Sequence, residues 1–266
     1  MGVGRNVFLV WGLVAQGAWG TVKIIVATLK IILNTLSLAM NQENSSSENL
    51  ICVYCGGEGT TYDHIPPKNL FKRPRPLLIT VPACQPCNAG ASQDDEYLRI
   101  FLLSDNRVQE HQEAQSLMGA YRRSLQRPSA TGLGISTLRN LRRFPLITET
   151  GIYYGQGTEL RYDFNRISKV LTRIMKGLFY HEFQEVFPSD YLIEVYSTGT
   201  MNLRPEGINA GLEFIRHIKP ENKRTIGEDV FSYGWGIADD DPNATYWYLG
   251  FFQALPFFVV TVPPNM

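Results

Sequence analysis

The stretch ICVYCGGEGTTYDHIPPKN, residues 51–69, joins a Cys-x-x-Cys pair, a glycine-rich turn and an Asp-His step. A second Cys-x-x-Cys pair follows at Cys84 and Cys87, and the 266-residue chain has no further cysteine beyond these and Cys52 and Cys55. Cysteines two residues apart are poorly spaced for a structural disulfide, and nothing else in the chain suggests a secreted disulfide scaffold. Two close pairs joined by a chain reversal can instead form a tetrahedral thiolate site. We therefore predict structural zinc at these four cysteines, with disulfides as the alternative.

Zinc leaves three polar residues unexplained, namely Asp63, His64 and Asn88, which directly follows the last cysteine. The order is Cys-x-x-Cys, Asp-His, Cys-x-x-Cys-Asn. This order resembles the HNH endonucleases, or ββα-metal nucleases, in their four-cysteine form, and in particular the endonuclease VII type of junction resolvase. The resemblance covers roughly residues 51 to 97, under a fifth of the chain.

The resemblance implies a role for each of these residues. Asp63 and Asn88 would face each other and hold one Mg²⁺ or Mn²⁺ through oxygen atoms, which these hard cations prefer. His64 would act as the general base that takes a proton from the attacking water. Neighbouring strand residues point to opposite sides, so one can bind metal while the next addresses water.

The sequence departs from the family pattern at two places. The asparagine that commonly braces the histidine loop is replaced by Ile79, and the third His or Lys after Cys-Asn is missing. The acids Asp94, Asp95 and Glu96 follow instead; one of them could be a further ligand, or they could simply favour the start of a helix.

Formal net charge is zero, so global charge does not indicate a nucleic-acid partner. Two runs, residues 66–80 and 119–144, are nevertheless basic and contain no acidic residue. A run can be an ordinary solvated face. Two runs beside a metal-like motif favour a polyanion, and we predict DNA, with RNA as an alternative. The predicted contacts are Lys68, Lys72, Arg73, Arg122, Arg123 and Arg127.

The N-terminal segment, residues 1–39, is apolar, and Val7 to Ala27 is long enough to cross a bilayer. Three interpretations remain open: membrane contact through residues 7–39, translation that begins at Met40, or secretion. We expect a cytoplasmic protein, with membrane attachment as the alternative. Residues 40–50 are predicted to be a polar linker.

The remaining chain predicts an α+β fold. A zinc-stapled ββα-metal module would occupy residues 51–105, a basic helical and loop connector 106–150, and a mixed α+β domain 151–266. Helical spacing marks Asp94 to Gln126 and, most clearly, Asp163 to Phe183, and Pro205 to Ile218 is a weaker helix candidate. Aromatic and β-branched runs predict strands at Tyr191 to Tyr196, Val230 to Ile237, Thr245 to Phe252 and Phe257 to Val262.

Together these features predict a metal-dependent DNA endonuclease, in a setting such as phage defence or restriction. The alternative is a zinc-stabilised nucleic-acid-binding module whose nuclease site is degenerate. A third hypothesis is a membrane-tethered protein that uses the zinc unit only for assembly.

Overall fold

A computed structural model describes residues 50–126, 139–197, 215–238 and 241–264. The predicted apolar segment 1–39, nearly all of the linker 40–50, Arg127 and most of the helix candidate at 205–218 lie outside the described residues. None of the helices in the described ranges combines the length and apolar character that a membrane span needs.

The Asp-His step lies on the first strand of a β-hairpin. Strand β1, Thr61–Ile65, pairs antiparallel with β2, Ile79–Ala83, and places Asp63 opposite Val81 and His64 opposite Thr80. Because side chains alternate across a strand, Asp63 and Ile65 are buried while Tyr62 and His64 lie on the more open face.

Four helices follow the hairpin, and they confirm the helical spacing predicted for 94–126. They are α1, Gln85–Ala89; α2, Ser92–Ser104; α3, Asn106–Gln109; and α4, Gln112–Gln126. The break between α2 and α3 lies at Asp105, whose backbone is extended and whose carboxylate accepts a hydrogen bond from the Arg107 N–H. An aspartate in this position ends one helix and caps the next.

Residues 141–147 correct one prediction, because they are strand rather than helical or loop connector. Strand β3, Leu141–Ile147, pairs antiparallel with β4, Tyr153–Leu160. The sequence signal is weak because Pro145, which has no N–H to donate, usually argues against a strand. The proline is tolerated because, among the described residues, β3 pairs with β4 on one side only. The Phe144 ring lies against Gly157, where an added Cβ would approach within 2.5 Å.

The clearest predicted helix is confirmed as α5, Phe164–Phe183, with Asp163 accepting a hydrogen bond from Asn165 N–H at its N-cap. The four predicted strands are also confirmed, and the structure adds a fifth, β6, that the sequence does not predict. The five form an antiparallel sheet in the order β5-β9-β8-β7-β6. Its strands are β5, Leu192–Ser197; β6, Lys223–Ile226; β7, Phe231–Ala238; β8, Asp241–Phe251; and β9, Leu255–Val262. The fold is α+β, as the sequence predicts.

Helix α5 contacts both the hairpin and the sheet. Gly177 lies so close to β1 and β2 that an added Cβ would stand 2.6 Å from the Ile65 side chain. At the end of the helix, Phe183 packs edge-on against Trp235 and Trp247 of the sheet. The described residues fall within one compact unit, Asn49–Met266, and one hydrophobic core runs across the predicted boundaries at 105/106 and 150/151.

Candidate functional site

The four cysteines converge at the start of the hairpin. A tight turn brings the first pair together: the Cys52 N–H donates to Gly57 O at 2.7 Å, and the Gly56 N–H donates to Cys52 O at 2.9 Å. Gly56 has φ +74°, which L side chains rarely adopt, so the turn needs glycine there. The second pair arrives at the end of β2 and the start of α1.

The spacing of the sulfur atoms fits a metal ion such as zinc. All four Sγ atoms lie within 4.8 Å of one another, and Cys55 and Cys84 are separated by 3.7 Å. A tetrahedral site with Zn–S bonds of about 2.3 Å places its sulfurs about 3.8 Å apart. All four cysteines are free thiols, so the disulfide alternative is wrong.

The thiols also have unequal acidities. Burial disfavours the Cys52 thiolate, but backbone hydrogen bonds from Cys84, Tyr54 and Cys55 outweigh it and lower the Cys52 pKa to about 7. Burial, together with the neighbouring thiols, raises the pKa of Cys87. One thiolate therefore forms readily, and a divalent cation would supply the charge that lets the others ionise.

His64 lies in a cationic environment on the open face of β1. It is half-buried, beside the exposed Tyr62 and across from the exposed Thr80. Burial and the positive charges of Lys68 and Arg75 lower the pKa of His64, although Asp63 opposes the shift. Arg75 is fixed nearby, since its Nε donates to Lys68 O at 3.0 Å. At neutral pH the imidazole is therefore uncharged, which is the form that accepts a proton.

Asp63 lies on the buried face, and both of its carboxylate oxygens are engaged within the protein. Its Oδ2 accepts hydrogen bonds from the Tyr54 hydroxyl at 2.7 Å and from Arg173 Nη2 at 2.5 Å. Its Oδ1 accepts the backbone N–H of His64 at 2.8 Å. The other terminal nitrogen of Arg173, Nη1, donates to Asp95 Oδ1 at 2.8 Å.

These contacts form a network of charges that is largely shielded from solvent. The side chains of Arg173, Asp63 and Asp95 retain only 17%, 9% and 16% of their exposure. Burial raises the pKa of Asp95 to about 6, although Arg173 opposes the shift. Burial disfavours the guanidinium, but Asp95 and Asp63 outweigh that cost, and the net effect is to raise the pKa of Arg173.

Asn88 braces the start of β1 rather than meeting Asp63 across a cation. Its side-chain amide donates to Thr61 Oγ1 at 3.1 Å and to Tyr62 O at 3.0 Å. Asp63, the other predicted ligand, is already paired with the cationic Arg173. Arg173 already neutralises Asp63, and Asn88 is bonded to β1. Asp63 and Asn88 therefore do not fit the predicted Mg²⁺ site while Arg173 stays in place.

The three acids after Asn88 each have a cationic partner. Asp94 pairs with Arg166 of α5 at 2.6 Å, Asp95 pairs with Arg173, and Glu96 pairs with a nearby arginine on its own helix, Arg99. Two of the three therefore tie α2 to α5.

Three of the predicted DNA contacts are connected through Arg75. Lys72 and Arg73 line a surface cavity of about 340 Å³ together with Arg75, Glu113 and Glu228, and Arg75 also donates to the Lys68 carbonyl. Arg122 and Arg123 are exposed near the end of α4, and Arg127 lies outside the described residues.

Sequence reasoning missed Arg173 and Tyr54. The available signal for Arg173 was its spacing from Arg166: two helical turns apart, the two arginines share one side of a helix rich in buried apolar residues. Tyr54 stands between the first two cysteines, where nothing in the sequence marks it as a partner of Asp63. Comparison of the chain with family models, with curated proteins and with solved structures finds no match.

Proposed function

We propose that this protein is an HNH-type endonuclease that hydrolyses phosphodiester bonds in DNA, with His64 as the general base. The observation that carries the proposal is the position of His64. The imidazole lies on the open face of a hairpin that joins a four-cysteine cluster, and the positive charges of Lys68 and Arg75 act on it. A neutral imidazole in a cationic environment suits a reaction in which a phosphate group approaches and a water molecule loses a proton.

The chemistry assigned to the chain's own residues is a proton transfer. His64 takes one proton from water as the water oxygen attacks phosphorus, and the 3′ oxygen leaves with the electrons of the broken P–O bond. Lys68 and Arg75 attract the phosphate and stabilise its negative charge. Asn88 and the backbone hydrogen bond from His64 to Asp63 fix the strand that carries the base.

Mg²⁺ or Mn²⁺ is the cofactor proposed for this reaction, with Asp63 and Asn88 as ligands. Such a cation supplies charge neutralisation at a phosphate. Because Arg173 is paired with Asp63, the proposal requires that Arg173 gives way before a cation binds there.

The test is cleavage of supercoiled plasmid by the zinc-loaded protein with added Mg²⁺ or Mn²⁺. His64→Ala should reduce the cleavage rate by roughly 10² to 10⁴-fold, the usual contribution of a general base. DNA affinity should stay near the parental value, because the imidazole is uncharged. His181→Ala is the matched control, since His181 is exposed at the far end of α5. This variant should cleave at the parental rate. Parental cleavage by His64→Ala would end the nuclease proposal.

One observation favours the second candidate, a zinc-stabilised nucleic-acid-binding module with a degenerate nuclease site. Arg173 neutralises Asp63, which the first candidate needs as a ligand. This second candidate predicts a salt-dependent gel shift with DNA and no cleavage under any divalent cation. Binding that persists while the plasmid stays intact would select it over the nuclease.

A further inference from the structure

The β3–β4 hairpin is open on both of its faces. Among the described residues its two strands pair only with each other, and every side chain described in them is exposed or half-buried. Because side chains alternate along β3, Arg142 and Phe144 lie on one face, and Arg143 and Ile147 lie on the other. A two-stranded hairpin without a packed face is only marginally stable in water. A partner that covers these faces would therefore stabilise it.

Large apolar side chains are exposed along the whole β3–β4 hairpin. Their exposed fractions run from 39% to 65%, and they are Leu141, Phe144, Ile147, Ile152, Tyr153 and Tyr154. Exposed apolar groups gathered in one place mark an interaction surface. Phe144 and Ile147 lie on opposite faces, so a flat partner would cover only one of them. A groove would enclose both faces.

The β3–β4 hairpin is also basic. Residues 139–161 contain four arginines and two glutamates, which gives this segment a net charge of +2 in a chain that is neutral as a whole. Arg142 and Arg143 are exposed, one on each face, and neither belongs to a salt bridge between described residues. The partner that combines an enclosing groove with negative charge on both walls is a nucleic-acid duplex.

We propose that the β3–β4 hairpin binds in the major groove of duplex DNA. Arg142 and Arg143 would contact the phosphates of the two strands, and the exposed apolar side chains would lie within the groove. This inference rests on the proposed function, because duplex DNA is the substrate proposed there. It adds the surface that holds the duplex and the form of nucleic acid that this surface accepts.

The dimensions of the β3–β4 hairpin fit that groove. The backbones of paired strands lie about 5 Å apart. The major groove of DNA is about 12 Å wide and admits a two-stranded ribbon. The seven residues of β3 extend about 24 Å, less than the roughly 34 Å of one helical turn. The major groove of duplex RNA is deep and narrow, so side chains cannot read it. The hairpin therefore favours duplex DNA over duplex RNA.

Binding can be measured by fluorescence anisotropy with the full-length, zinc-loaded protein and a labelled DNA duplex of about two helical turns. No Mg²⁺ or Mn²⁺ is added, so binding is read without cleavage. Arg142→Gln with Arg143→Gln should weaken binding at low salt about tenfold or more. The slope of log affinity against log salt should fall by about two, because two phosphate contacts are lost.

Two further measurements test the groove itself. Tyr154→Ser removes an uncharged side chain, so it should weaken binding several-fold and leave the salt slope at the parental value. A duplex RNA of the same sequence should bind about tenfold more weakly than the DNA. RNA bound as tightly as DNA would overturn the assignment to the major groove of DNA.

Arg107→Gln with Arg216→Gln is the matched control. It also removes two exposed arginines, but both lie outside the β3–β4 hairpin, so the salt slope should stay parental. Arg142→Lys with Arg143→Lys keeps both charges and should keep the slope as well. A slope that falls in the lysine variant would mean that the substitutions disturb the hairpin rather than remove phosphate contacts, and the arginine roles are then overturned.

An unchanged affinity and slope in the Arg142→Gln, Arg143→Gln variant would overturn the inference. Sedimentation tests the other kind of partner: a dimer of the parent protein that Tyr154→Ser dissociates would assign the hairpin to contact between two copies, against the proposal. These outcomes are separable from that of the proposed function. Cleavage that depends on His64 but not on the hairpin removes this inference alone. Binding that depends on the hairpin in a protein that never cleaves DNA removes the nuclease alone.

Discussion

The cysteine cluster and the Asp63 network lie on the same hairpin but are assembled in different ways. The cluster takes its four ligands from two short segments, and the facing cysteines Cys55 and Cys84 are only 29 residues apart. The Asp63 network depends on Arg173, 110 residues further along the chain. The first is a local motif that a turn and a hairpin bring together, and the second exists only when α5 packs onto the hairpin.

This difference shows why the sequence predicts the cysteine cluster but not the partner of Asp63. Four thiols at short spacing have little alternative to a shared cation once the hairpin forms. A carboxylate, in contrast, can be satisfied by a metal ion, by hydrogen-bond donors or by an arginine. Which partner Asp63 meets depends on the helix that covers it.

Loss of the metal site should have the largest effect. Cys84→Ser should lower bound zinc from about one ion per chain to well below one, because a neutral hydroxyl is a poor replacement for a thiolate. Structural zinc sites contribute on the order of 10 kcal/mol to folding, so the variant should also unfold at a much lower temperature. Elemental analysis and thermal unfolding measure both effects.

A chelator should act on the parent protein in the same way, and re-added zinc should restore its unfolding temperature. A soluble, cooperatively folded parent protein that contains no zinc would contradict the metal site.

Breaking the Asp63 network should lower the free energy of unfolding less than loss of zinc does, but far more than breaking a surface ion pair does. Arg173→Gln leaves two nearly buried carboxylates without their cation and should lower the free energy of unfolding by about 3 kcal/mol. Arg107→Gln is the control, because the Arg107 side chain is 62% exposed beside Asp105 and should cost under about 1 kcal/mol. Urea unfolding at pH 7 gives both values. Equal losses would mean that the buried network contributes no more than a surface ion pair.

The contact between α5 and the hairpin can be tested at its closest point. Glycine within a helix usually costs about 1 kcal/mol relative to alanine, so Gly→Ala should normally stabilise. At Gly177 the added Cβ would stand 2.6 Å from the Ile65 side chain, and overpacking of this kind typically costs about 1–3 kcal/mol. We expect Gly177→Ala to lower the unfolding temperature.

Gly119→Ala on α4 is the matched control for that change. Its nearest contact would be the Arg123 side chain at 3.5 Å, an ordinary separation, so this variant should be as stable as the parent or slightly more so. A gain of stability in Gly177→Ala as well would mean that the helix can shift away from the hairpin at little cost, which weakens the role given to the α5 contact.

The basic run should show the smallest effect, and only in DNA binding. Replacing Arg122, Arg123 and Arg127 together by Ser should weaken binding at low salt. The slope of log affinity against log salt should fall by about one for each phosphate that the protein no longer neutralises. Fold stability should barely change, since Arg122 and Arg123 are exposed. A fluorescence-anisotropy titration at several salt concentrations measures the slope. An unchanged slope would assign this run to ordinary solvated surface.

Much of the fold could be predicted because its signals are local. The apolar spacing of Ile167, Val170, Leu171 and Ile174 predicts α5, and Asp163 marks its start; the structure confirms both. Four strands of the large sheet follow from their aromatic and β-branched runs. The fifth, β6, has only four residues, Lys223–Ile226, and gives no such signal. The β3–β4 hairpin escaped detection because Pro145 weakens a short strand signal, and its pairing depends on which chain segment lies opposite.

The candidate site likewise combines local features that the sequence predicts with long-range contacts that it does not predict. The sequence by itself determined the four-cysteine cluster and the placement of Asp63 and His64 on opposite sides of one strand, because turns, short spacings and strand alternation act between near neighbours. Only the tertiary structure decided what each side meets. Helix α5 covers the Asp63 side and brings Arg173 to it, whereas the positive charges of Lys68 and Arg75 act on His64 on the open side. The physical reason is that a buried charge must be paired, and its partner is set by packing between segments far apart in the chain.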